Sequence, residues 1–108
     1  MIRGHTDAIV LNILSQGDSY GYRIVQEIRD MSDNQYELNE ATLYSVFRRL
    51  QKEQLVTSYY GDETQGGRRK YYKITELGQQ NLADAQAAWW IAKVIIEKLM
   101  SGKVIDNE

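Results

Sequence analysis

Cysteine is absent from this sequence, and with it go disulfides, thiolate nucleophiles and most zinc sites. The chain fits a reducing compartment. There is one histidine, His5, so no cluster of metal ligands assembles from sequence neighbours. Proline is absent as well and no tract is of low complexity; with 43% hydrophobic residues, the composition is that of a chain that folds. Long apolar runs are missing too. The block Ala85 to Met100 is broken by Gln86, Lys93, Glu97 and Lys98 and is too short to span a bilayer. The N-terminal run Ala8 to Leu14 is interrupted by Asn12, with no small-residue cleavage pattern behind it. A soluble, cytoplasmic protein is expected, with no membrane partner and no cofactor.

What is present is 108 residues, close to the commonest size for one domain with one modest core. The net charge of −2, taken as a sum, argues against a nucleic-acid binder. Its distribution argues the other way. Between Arg48 and Lys73 there are seven basic residues against three acidic ones, whereas the remainder carries six basic and twelve acidic residues. A basic middle lies between acidic flanks.

The stretch Leu38 to Leu55 (LNEATLYSVFRRLQKEQL) reads as one helix with its own entry and exit signals. Asn39 is a good N-cap, Glu40 puts a negative charge in the first turn, and Leu38 and Leu43 occupy the two positions of a hydrophobic staple. Leu43, Val46, Phe47 and Leu50 repeat at three and four and make the apolar face. Thr42, Tyr44, Ser45, Arg48, Arg49 and Lys52 lie off it. Upstream, His5 to Gln16 has helical spacing through Ala8, Ile9, Leu11, Ile13 and Leu14, with Gly17 as its stop. A second helix, Tyr20 to Met31, has Asp18 or Ser19 as candidate caps and Tyr20, Ile24, Val25, Ile28 and Met31 as its buried face; Ser32, Asp33 and Asn34 end it.

After the third helix the period changes to two. Leu55 to Tyr60 (LVTSYY) and Arg69 to Ile74 (RKYYKI) flank the turn-forming GDETQGG and predict a β-hairpin with a cationic returning strand. Thr75 then caps a last helix, Glu76 to about Met100, roughly 37 Å long at 1.5 Å per residue. Its apolar residues Leu77, Leu82, Ala85, Ala88, Trp89, Ala92, Ile95, Ile96, Leu99 and Met100 spread over about half the circumference, wider than the ~100° stripe one core needs. Trp90 and Val94 fall outside even that arc. The excess calls for a partner, and a second copy of the chain is the cheapest one. Ser101 to Glu108 reads as a frayed tail.

Three helices, a basic hairpin and a long closing helix give a mainly α (α+β) fold. This is the order of a winged helix-turn-helix domain over residues 1–75, followed by a C-terminal dimerisation helix and tail over 76–108. Such an arrangement reads double-stranded DNA. The third helix fits a major groove and brings Thr42, Tyr44, Ser45, Arg48 and Arg49 to base edges and phosphates, with Lys52 as a phosphate contact. Gly66, Gly67, Arg68, Arg69 and Lys70 let the hairpin follow the neighbouring backbone, where each phosphate contact releases counterions. A solvated charge run on an edge strand is the bland alternative for the hairpin.

The segment NEATLYSVFRRLQKEQLV followed by GGRRKYYKITELG, with YGYRI at Tyr20 to Ile24, resembles the PadR family of bacterial transcriptional regulators. The likeness covers nearly the whole chain. A short last helix is similar to the smaller PadR subfamily, which includes multidrug-binding repressors of efflux-pump genes. The resemblance implies a homodimeric repressor of a multidrug efflux or stress gene, bound to a pseudo-palindromic operator and released by a planar aromatic ligand at the dimer centre. Trp89 matches the tryptophan that stacks on ligands there, and His5, Asp7, Ala8, Asn12, Gln86 and Lys93 match other cavity positions. The sequence departs from the multidrug relatives at Lys93, where they carry an acid suited to cationic drugs, and at Trp90, where a small polar residue is expected. GDETQGGRR lacks the Lys-Ser/Thr pair and the strand-to-helix setting of a phosphate-binding loop, and no acid, base and nucleophile set is visible, so an enzyme is not expected. A dimeric winged-helix module that binds protein instead of DNA is the alternative that the acidic flanks keep open.

Overall fold

The structure, a computed structural model, describes residues 5–61 and 69–105. Its elements follow the order α1 (Thr6–Ser15), α2 (Gly21–Met31), α3 (Glu40–Lys52), β1 (Val56–Tyr60), β2 (Lys70–Ile74) and α4 (Glu76–Ser101). Gly66, Gly67 and Arg68, at the turn of the expected hairpin, lie outside the described residues.

The entry to α3 is set by local chemistry. Asn39 holds an extended conformation and its side chain accepts from the Thr42 amide at 2.8 Å, satisfying a donor that the first turn leaves open. Leu38 and Leu43 are both buried behind it. The helix is shorter than the sequence predicts. It ends at Lys52, and Gln54 takes a left-handed turn (φ 63°) that sends Leu55 into the core and the chain into β1. At the start of α4, Thr75 plays the same part, accepting from the Gly78 amide at 2.9 Å.

The cap expected for α2 is different. Tyr20 is the N-cap residue, and it makes no side-chain cap bond. Asp18 and Ser19 are drawn off by the hairpin: the Tyr59 hydroxyl donates to Asp18 at 2.6 Å, and Ser19 exchanges backbone hydrogen bonds of 3.2 and 2.7 Å with Tyr72. A tertiary contact has overridden a local one. Met31, expected in the core, is exposed at the last turn of α2, where it edges a cavity instead of packing inside; Asp33 and Asn34 then take left-handed conformations as the chain leaves the helix.

β1 and β2 pair antiparallel, Val56 opposite Ile74 and Tyr60 opposite Lys70. Alternation sends Val56, Tyr72 and Ile74 inward. Tyr72 stacks on Phe47 with ring centroids 3.6 Å apart, so the sheet packs directly on the buried face of α3. Val10, Leu11, Ile13 and Leu14 of α1, Ile24, Val25 and Ile28 of α2, and Leu43, Val46, Phe47 and Leu50 of α3 complete one core. Val10, fully buried, was not among the positions expected from helical spacing.

Only Gly78 and Leu82 of α4 are buried, and Leu77, placed on its apolar stripe, is exposed. The rest of α4 runs outward and gives the molecule extents of 74 × 30 × 21 Å. Its radius of gyration, 17.7 Å, exceeds the ~13 Å of a compact chain of this size. No helix among the described residues is long and apolar enough to cross a membrane.

Candidate nucleic-acid interface and adjoining cavity

Opposite its buried stripe, α3 presents Thr42, Tyr44, Ser45, Arg48, Arg49 and Lys52, all exposed. The two arginines are handled differently. Arg48 donates to the Ser45 hydroxyl at 3.1 Å and remains on the open face. Arg49 reaches across to α1, where its Nε donates to Asp7 Oδ2 at 3.0 Å and a terminal nitrogen pairs with Oδ1. That hydrogen bond, with the carboxylate charge behind it, holds the guanidinium above its ordinary pKa. At the C-terminal end of the helix, Gln51 donates to the Ser58 hydroxyl at 2.9 Å and ties α3 to β1.

The hairpin cations stand beside the start of α2. Arg69 lies over the Tyr20 ring at 4.1 Å, Tyr20 meets the Tyr71 ring edge-on at 5.4 Å, and Tyr71 stacks on Tyr59 at 5.7 Å. Lys70 sits 5.6 Å from the Tyr72 ring. The hydrogen bond to Asp18 raises the pKa of Tyr59, and burial raises that of Tyr72, so both phenols keep their protons across the neutral range. A shallow groove of about 270 Å3 results, with Tyr20, Gly21 and Tyr22 on one side, Glu40 and Tyr44 on another, and Arg69, Lys70 and Tyr72 on the third. A residue larger than glycine at position 21 would press on Tyr44, its Cβ 3.1 Å from the hydroxyl oxygen. Sequence reading placed Tyr44, Arg69 and Lys70 in this region and missed Tyr20, Tyr22 and Glu40. The signal was available in the tyrosines that frame the second helix's start: helical spacing assigned Tyr20 to packing and gave Tyr22 no role of its own.

A second concavity, about 440 Å3, opens between α1 and α4 beside the end of α2. His5, Ala8, Asn12, Gln86 and Trp89, expected to share a cavity, are brought together there. The His5 and Trp89 rings meet edge-to-face at 5.2 Å, and Gln86 donates to the Asn12 side chain at 3.4 Å. Two expected residues do not line it. Asp7 is turned to Arg49, and Lys93 sits 4.9 Å over the Trp90 ring. Ile9, Met31, Leu82 and Ala85 complete the walls, none of which the sequence marked as cavity residues. Among the described residues no group of three or more His, Cys, Asp or Glu side chains is placed to hold a metal ion.

The architecture is that of a winged helix-turn-helix protein: α2 and α3 form the helical pair, α3 carries the open polar face, and β1 and β2 form the wing. The chain belongs to the PadR-like family of transcriptional regulators, whose family model matches residues 10–84. It is 46% identical to an uncharacterised protein of Lysinibacillus sphaericus over 94% of both chains. Among solved structures, a transcriptional regulator from Clostridium thermocellum superposes with a TM-score of 0.83 at 45% identity, covering 90% of this chain and 91% of that one. A PadR family transcription regulator from hypervirulent Clostridium difficile gives 0.81 at 32% identity, over 90% and 99%. Membership makes this a DNA-binding regulator and not an enzyme. Regulators of the family are generally dimeric.

Proposed function

We propose that the chain acts in the cytoplasm as a homodimeric repressor that reads a pseudo-palindromic operator and is released by a planar aromatic ligand, the operator controlling a multidrug efflux or stress gene. The observation that carries the reading is the cavity at Trp89, set where α4 begins to leave the domain. Beyond it Trp90, Ile91, Val94, Ile95, Ile96, Leu99 and Met100 are all exposed, more apolar surface than a helix keeps in water. A second copy on that face would bury it and bring the two cavities toward one another. It would also set the two α3 helices about one duplex turn apart, some 34 Å.

In that arrangement Thr42, Tyr44, Ser45 and Arg48 meet the major groove, Lys52 meets phosphate, and the wing supplies Arg69 and Lys70; Gly66, Gly67 and Arg68, outside the described residues, are proposed as further DNA contacts from the sequence alone. A ligand between Trp89 and its mate shifts the dimer only by the difference in its affinity for the two arrangements. His5, Ala8, Asn12 and Gln86 supply the cavity's polar and small contacts, and Asp7 and Lys93 flank it. Titration with planar dyes such as ethidium tests the ligand role. Quenching of tryptophan emission that is lost in Trp89→Ala supports it, and quenching that persists in that variant removes it.

A further inference from the structure

Both central arginines of α3 suit a duplex by residue type, yet the fold separates them. Arg48 bonds within its own helix, to Ser45. Arg49 crosses 42 positions of sequence to reach Asp7 on the first turn of α1. A guanidinium and a carboxylate matched at two points fix orientation as well as separation. Nε and one terminal nitrogen of Arg49 are committed to that carboxylate. The residues around Asp7 are cavity residues: His5 stands two positions before it, and Ala8 and Ile9 follow directly. The first turn of α1 therefore holds the cavity wall on one side and α3 on the other. Ion pairs as exposed as this one add little to stability, so the pair's consequence lies in orientation.

We propose that Arg49 is a positioning residue, and that the Asp7–Arg49 fork is the link through which the cavity helix sets the pose of the reading helix. A change at α1 is then passed to α3 as a rotation or a slip of the fork, and α1 and α3 respond as one unit. The proposal rests on α3 being the helix that reads the duplex, and one control variant keeps the two questions apart.

The test measures affinity of the full chain for a duplex from the upstream region of its own gene, across a series of salt concentrations. The variants are Asp7→Asn, Arg49→Lys, the double variant, and Asp7→Glu, with Arg48→Ala as the control. If the fork positions α3, Asp7→Asn and Arg49→Lys each weaken binding by about threefold to tenfold. The double variant then binds no worse than either single one, because the two residues act as a unit. The salt dependence stays that of the wild type, since no phosphate contact is lost. Asp7→Glu, which keeps the carboxylate, recovers most of the affinity.

A direct phosphate contact by Arg49 gives the opposite signs. Asp7→Asn would then leave binding unchanged or tighten it by removing a competing negative charge, and Arg49→Lys would retain affinity; either result overturns the proposal. If Asp7→Asn fails to fold, as judged by its circular dichroism, Arg49→Lys decides the outcome alone. Wild-type affinity in Arg48→Ala would remove the assignment of α3 itself, whatever the fork variants do.

Discussion

The two ends of α4 share one helix and meet opposite surroundings. At its start Gly78 lies against the Leu55 carbonyl and the Ile74 side chain, and Leu82 is buried in the common core. At its far end Leu99 is 77% and Met100 82% exposed, with Ile95 and Ile96 about half so. The near end is held by contacts within one chain, as are α1 to α3 and the wing. The far end has the same apolar character with nothing among the described residues to bury it. A helix that is hydrophobic beyond its core-facing stripe marks where a single chain stops being sufficient.

Perturbations of the closed side should unfold the domain, whereas perturbations of the open side should separate subunits and leave the domain intact. The largest expected effect is Phe47→Ala. Its ring is fully buried and stacked on Tyr72, so its loss should cost about 3–5 kcal/mol in urea unfolding. On the open side, Ile95→Glu with Leu99→Glu should raise the dimer dissociation constant about thirtyfold or more in sedimentation experiments, with the thermal unfolding of the domain little changed. Loss of domain folding in that double variant would break the comparison.

A third change falls on the join between the two regions. Adding a methyl at Gly78 would drive it into the Leu55 carbonyl and to 2.7 Å from Ile74 Cγ1, so Gly78→Ala should destabilise by about 1–3 kcal/mol. Calorimetry should show α4 and the core losing stability together; an unchanged melting temperature would mean that the near end is not docked as described. The smallest effect is expected at Asn39. Asn39→Ala removes the bond to the Thr42 amide and should cost about 1 kcal/mol in the same unfolding measurement.

What the sequence made legible divides along the same physical line. Features decided within a few residues were read directly: the Asn39 and Thr75 caps, the Leu43, Val46, Phe47 and Leu50 face, and the change of period that marks the wing. Features decided by residues far apart in sequence were not. Asp18 is a plausible cap until Tyr59, 41 positions away, takes it. Arg49 and Asp7 were given separate roles, on the duplex and in the cavity, and the fold joins them. Met31 looked like core by spacing and instead edges the cavity, because only the packing of α1 against α4 creates that concavity. Of the described site residues, those expected to share the cavity by resemblance were mostly brought together, while its apolar walls carried no mark that distinguished them from ordinary core.

The central claim is that a protein of net negative charge binds duplex DNA through a locally basic surface built from α3 and the wing. The most direct measurement is a gel-shift titration of the full chain on a duplex from the upstream region of its own gene, repeated from low to high salt. Retardation at low salt, with affinity falling log-linearly and steeply as salt rises, is the expected result, because each neutralised phosphate releases counterions. Absence of any retardation at the lowest salt concentration would contradict the account.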